Sequence, residues 1–592
     1  MILGFLQNNL NRTPSKVGKL TQSTQLFTFL VLGLSATLFI GCAGDSGRKD
    51  SNTFFFNMNS EPNSLDPIQI SQQASWWIGE QIYDGLLTLD SNMDLAPALA
   101  RSWETSEDGL TWTFHLRSDA RFCDDPSFAD GKGRPVTAED IRYSFERVCT
   151  PGKSSGFWIF RGKVEGADQF YKSRESGENG NPVEHVVGFT VVDDSTFTIT
   201  LTTPFSPFAY TLTTPFGYIV PREAVEKYGQ DFFRNPVGTG PFRMTEWEPG
   251  RQIVLVRNGN YYEQDEAGNP LPYLDSVVSS FKNDAATEFA EFQKGNLDLL
   301  TTIDPTFAGR ILSEDGSKLS EEFSSYKLYS KPGMSVEYYG ITLDPTTRTV
   351  KEDGRLAENV YLRRAINYGI DREKITSFVL KGQAIPAENG PIPPSTPGFT
   401  GVKGYSYNPD KAREMLDSAG YPNGDGLTPI LLQVSNNQRT GSVAQAVMED
   451  LKKLGIPVEL RQTEHATHLK QADDGEVGFW RTSWLADYPH AENFMANFYG
   501  PYSKPAGPNR ARYHNPKVDS LYLAAMNPAL TKEGWSSLYG QMEEIVLQDA
   551  PWIFLYYSVV RHLTQPWIEN YHPTPLQTFD LIRVRKNTIS TS

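Results

Sequence analysis

The chain has 592 residues, 39% of them hydrophobic and 21% charged, enough for several domains of ordinary globular composition. Its formal charge is −16 and no run of Lys and Arg offsets that excess, which argues against nucleic acid as a partner. Aromatics reach 12%, including 11 Trp and 27 Tyr, material suited to lining a binding cleft.

The first segment has a different character. It holds no acid before Asp45, carries Arg12, Lys16 and Lys19, and continues into an apolar run from Leu26 to Ile40. That run is about 15 residues long, the length of a signal-peptide core and short for a membrane span. It ends at Phe39-Ile40-Gly41-Cys42. This junction resembles the lipobox of bacterial lipoproteins, although Phe39 stands where Leu is usual. The resemblance implies a signal peptide over 1–41, lipidation of Cys42, and a polar tether over 42–50. The rival reading is an uncleaved anchor helix; both place the remaining chain outside the cytoplasm. Cys123 and Cys149 are then left over. In an oxidising compartment they form either a disulfide or two free buried thiols.

Strands and helices alternate thereafter. LTWTFHLR places Trp112, Phe114 and Leu116 on one face of a half-buried strand, and STFTITL repeats the pattern with Phe197, Ile199 and Leu201. Between them, PVTAEDIRYSFERV offers Thr137 as N-cap, Asp140 as its capping-box partner, and the stripe Ile141, Phe145, Val148. Further on, Asn408 caps a helix with Pro409 at its first position and Gly420 as its stop. PILLQVS, GSVAQAVMEDLKKLG and IPVEL then read as strand, helix and strand, a unit that favours parallel pairing. Pro- and Gly-rich joints at Asn235–Phe242 and Glu388–Phe399 separate these blocks.

No signature of a secreted enzyme is present: no G-x-S-x-G elbow, H-E-x-x-H helix, P-loop or C-x-x-C pair. His465 and His468 could share a helix face, but without a third ligand they read as solvated surface rather than a metal site. Neither a metal nor a cofactor is expected. Carboxylates are abundant, and a hydrolase acting through two of them stays open as a different class of function.

One segment stands out, TSWLADYPHAENFMANFYGP, where Asp487 is set among Trp484, Tyr488, Phe494, Phe498 and Tyr499. By itself an Asp before Tyr-Pro caps a turn. Motifs occur in order along nearly the whole mature chain: EPNSLDP, YDGLLTLD, LAPALARSWETSEDGLTWTFHLR, PVTAEDIRYSFERV, GTGPFRMTEW, LRRAINYGIDREKI, NPDKAREMLDSAGYPNG, WLADYPHAENFM, RYHNPKVDSL and DAPWIFLYY. The series resembles the solute-binding proteins of peptide/nickel ABC importers, most of all the periplasmic oligopeptide-binding proteins.

The resemblance implies an α/β, two-lobed fold of the type II periplasmic-binding-protein kind, with an additional domain inserted in the first lobe. By analogy the first lobe spans 51–90, 217–305 and 516–592, the inserted domain 91–216, and the second lobe 306–515. It implies a monomeric, lipid-anchored receptor that takes peptides from the periplasm or extracytoplasmic face to the permease subunits of an ABC transporter. In peptide-binding members the Asp of W-x-A-D-Y pairs with the ligand's α-ammonium, a role that falls here to Asp487, flanked by Trp484 and Tyr488. Arg481 matches a position that is Arg in some members. It is a candidate for a ligand carboxylate, with a protein salt bridge as the alternative. Gly340 departs from the Glu of oligopeptide binders, so ligand length and sequence preference do not carry over. Relatives that bind nickel complexes, haem or oligosaccharides keep those ligand classes open.

Overall fold

Residues 51–175, 182–314, 316–505 and 507–587 are described by a computed structural model. The expected signal peptide, the tether and Cys42 lie outside the described residues. Most strands belong to one large mixed sheet. Across it run, in order, Val458–Thr463, Ile430–Ser435, Phe479–Leu485, Lys327–Ile341, Trp552–Thr564, Leu299–Leu300, Thr53–Asn57, Ser276–Ser280, Gln252–Arg257 and Phe242–Glu248.

Two long antiparallel strands, Lys327–Ile341 and Trp552–Thr564, carry this sheet through its centre. Their register shifts between Pro332 and Val336 and again between Glu337 and Tyr338. On one side of the first shift Trp552–Thr564 pairs with Leu299–Leu300; on the other, Ser335–Ile341 pairs with Phe479–Leu485. Irregular registers bend and twist a sheet locally. The two lobes meet at this bend, and each has its own apolar core. Leu362, Ile366, Leu416, Leu432 and Val447 are buried together in one, while Phe54, Phe56, Ile253 and Val277 belong to the other.

The expected strand–helix–strand unit is present, with Ile430–Ser435 and Val458–Thr463 parallel. Its helix is Gln438–Lys452, starting earlier than Gly441 because the Asn437 side chain accepts from the Thr440 amide at 2.9 Å. The helix pair Pro516–Ala525 and Lys532–Asp549 also differs from expectation. Glu543 accepts from the Ile392 amide, Tyr405 bonds the Leu547 carbonyl, and Trp535 lies against His490. These contacts lead us to place the return to the first lobe at Trp552–Thr564 rather than at 516.

A separate four-stranded antiparallel sheet, in the order Ala100–Thr105, Thr111–Leu116, Thr196–Thr200 and Phe189–Asp193, falls inside the expected insertion. The helix Ala138–Val148 covers it, started by the Thr137/Asp140 capping box. Phe145 is fully buried and meets the rings of Phe160, Phe189 and Phe197. Cys123 and Cys149 are both buried and both free, so the disulfide reading is not realised. Cys123 sits in a loop bonded to the Gly238 carbonyl, whereas Cys149 ends the helix. Burial pushes both thiols up, Cys123 to about 11.

Candidate ligand-binding cavity

The strand Phe479–Leu485 delivers the chain to a turn at Ala486–His490, after which the short helix Ala491–Met495 begins. One side chain organises the turn. The Asn493 amide oxygen accepts from Trp484 Nε1 at 2.9 Å and from the Asp487 backbone N–H at 3.2 Å. Trp484, Asp487 and Tyr488 are thereby brought together on the wall of a cavity of about 350 Å³. Across from them the cavity is lined by Trp158, Arg161, Lys163 and Phe205. The Trp158 ring lies nearly parallel to that of Tyr488, with centroids 6.4 Å apart.

Asp487 presents an exposed surface, yet its carboxyl is pushed up to about 6. Desolvation is the main cause. A long 3.5 Å bond from Asn493 Nδ2 opposes it, and the neighbouring Glu492 adds to it. The exposed face therefore looks onto space enclosed by protein, not bulk water. No cation of the described residues forms an ion pair with Asp487. Glu492 is in a different state, because the hydroxyls of Tyr488 and Tyr522 both donate to it. A desolvated carboxylate without a counter-ion is a site for a cationic group, and a charge-assisted bond there contributes about 1.5–3 kcal/mol.

Arg481 is not on this wall. Side chains alternate along a strand, so positions 481 and 484 point to opposite faces. Arg481 instead makes a two-pronged pair with Glu337, its Nη2 2.7 Å from Oε2, between neighbouring strands. Its carboxylate partner belongs to the protein. The departure at Gly340 also has a packing cause: a Cβ there would lie 2.2 Å from Cη2 of the buried Trp480. His468, expected on the surface, is buried, with Nε2 2.7 Å from the Arg481 carbonyl oxygen, and His465 bonds Ser435 at 2.9 Å.

Arg161, Lys163 and Trp158 were not singled out by the sequence. They lie in FWIFRGK, which has no strand or helix periodicity; only its interleaved aromatic and basic residues could have drawn attention. The segment enters through Gly156, where a Cβ would strike the Phe216 ring at 2.1 Å.

The sequence model of the bacterial extracellular solute-binding proteins, family 5 (middle), matches residues 94–506. Heme-binding protein A of Haemophilus influenzae is 29% identical over 543 residues, covering 90% of this chain and 92% of that protein. Dipeptide-binding protein DppE of Bacillus subtilis is 26% identical over 584 residues, covering 94% and 98%. Among solved structures, the periplasmic binding protein DppA of Helicobacter pylori in complex with peptide STSA superposes with a TM-score of 0.71. It is 24% identical and covers 91% of this chain and 99% of its own. That likeness bears on the fold, a two-lobed type II periplasmic binding protein with mixed α/β content. Such proteins are receptors of ABC importers rather than enzymes, and the chain belongs to the family 5 bacterial extracellular solute-binding proteins.

Proposed function

We propose that this receptor captures short peptides, holding the ligand's α-ammonium at Asp487, and presents them to an ABC permease from a lipid anchor at Cys42. The observation that carries the reading is the desolvated Asp487 carboxylate facing the cavity with no protein cation paired to it. Trp484 and Tyr488 beside it supply apolar surface, and lobe closure around the ligand excludes water and favours the closed state. Haem, named for one relative, fits less well: no His, Cys or Met lines the cavity.

The pH dependence of binding tests this reading. An ammonium ligand needs Asp487 ionised, and its carboxyl is raised to about 6 in the empty site. Affinity is therefore flat just above that value and falls as pH drops through it, about tenfold by one unit below. It falls again above about 8, where a free α-amino group loses its proton. Calorimetry with dialanine across this range should give a bell. A flat acid limb would remove Asp487 from the contact. Mass spectrometry of ligand released on denaturation should show short peptides; a haem band or bound nickel would replace the proposal.

The anchor is tested separately. Cys42→Ser should release soluble protein or leave an uncleaved precursor. Unchanged mass and unchanged membrane fractionation would sink the lipid assignment.

A further inference from the structure

The cavity carries a second pole of opposite sign. Four cationic side chains line it: Arg161, Lys163, Lys504 and Arg510. Two are already occupied. Lys504 lies 3.6 Å from Asp473, and Arg510 pairs with the same carboxylate. The other two are not. The Lys163 ammonium donates to the Trp158 carbonyl oxygen at 2.8 Å, which leaves two of its three donors. It has no ion pair among the described residues, although Glu492 acts on it from beyond contact distance. Its other surroundings are aromatic, with the Phe205 and Trp158 ring centroids 5.3 and 5.9 Å away. Arg161 is exposed and makes no side-chain hydrogen bond or ion pair among the described residues.

Burial pushes Lys163 down to about 8, the mirror image of what it does to Asp487. The two groups line one cavity but do not pair with each other. Each lacks the counter-ion that the other could have supplied. A ligand with a positive end and a negative end, set apart within that space, would satisfy both.

Resting on the peptide reading above, we propose that Arg161 and Lys163 form a carboxylate-binding pole, so that the preferred ligand is a dipeptide or tripeptide with both termini free. At about 350 Å³ the cavity is near the lower end of the 300–1,000 Å³ usual for small-ligand sites, which suits a ligand of this size. Selection for the free carboxylate would then come from the segment 157–164, and selection for the free amine from the turn at 486–490.

The test uses dialanine and trialanine, their C-terminal amides and their N-acetyl forms, titrated by calorimetry at neutral pH. Wild type should bind the free acids about ten- to a hundredfold more tightly than the amides. In Arg161→Gln/Lys163→Met this preference should vanish while the penalty for N-acetylation remains. Arg161→Gln alone, at an exposed position, should narrow the preference without moving the thermal midpoint, which guards against a misfolded double variant. Equal binding of acids and amides by wild type overturns the inference and leaves the amine reading standing. A preference that persists undiminished in both variants also overturns it, because other residues then hold the carboxylate. Failure of every peptide to bind removes the amine reading, and this inference with it.

Discussion

Asp487→Ala weakens peptide binding by about 3–5 kcal/mol, because the ligand ammonium is then sealed in the cleft without a counter-charge. That is two to nearly four decades in dissociation constant. N-acetylating the peptide should weaken wild-type binding by a similar factor but add little in the variant, since both changes delete the same pair. The turn-cap role predicts a different pattern. Asn493 already holds the turn through Trp484 and the Asp487 amide, so the variant would lose at most about 1 kcal/mol of stability. Free and acetylated peptides would then keep their full wild-type ratio. Calorimetry of two proteins against two peptides separates these outcomes. Equal binding of free and acetylated peptides by wild type would take Asp487 out of the site.

What could be read from the sequence follows the physics of each feature. Elements with a clear period were legible: the strands Thr111–Leu116 and Thr196–Thr200 bury alternate residues, and the helices Ala138–Val148 and Pro409–Ser418 begin at the caps their sequences offer. Asp487 was legible because a desolvated carboxylate among aromatics is a local pattern, and the motif around it is contiguous. Features that depend on which strands become neighbours were not. Glu337 and Arg481 are far apart in sequence and meet only through the register that places Glu337 opposite Ser483. That pairing turns a candidate ligand contact into an internal one. Lys163 and Arg161 reach the cavity from an aperiodic turn of the inserted region, where no periodicity marks a face. Gly340 looked like a lost ligand contact, yet the Trp480 ring occupies the space a side chain would need. The long strands that join the lobes also carry the register shifts, a property of pairing that composition does not reveal.

The largest stability effect is expected far from the cavity, where the C-terminal segment closes on the first lobe. Lys586 Nζ lies 3.0 Å from Asp298 Oδ2, and both side chains are only 2% exposed. The same carboxylate accepts from the Phe55 amide and from Trp567 Nε1, each at 2.8 Å. Even so, desolvation holds Asp298 above the usual carboxylate range, against the pull of Lys586. Asp298→Ala leaves an ammonium buried without its carboxylate and should cost about 3–5 kcal/mol, read as a lowered denaturant midpoint. Asp298→Asn combined with Lys586→Met should cost much less, because both charges go together while an acceptor remains for the two N–H groups. Lys586→Met alone separates charge from packing. Its lone carboxyl has a folded pKa raised further above the unfolded value, so the folded state binds the extra proton and stability falls as pH rises through that raised value. The midpoint of this variant should therefore be higher at about pH 5 than at about pH 8, relative to wild type at each pH. A midpoint that moves in the opposite direction would show that Lys586 does not neutralise Asp298 in the folded protein.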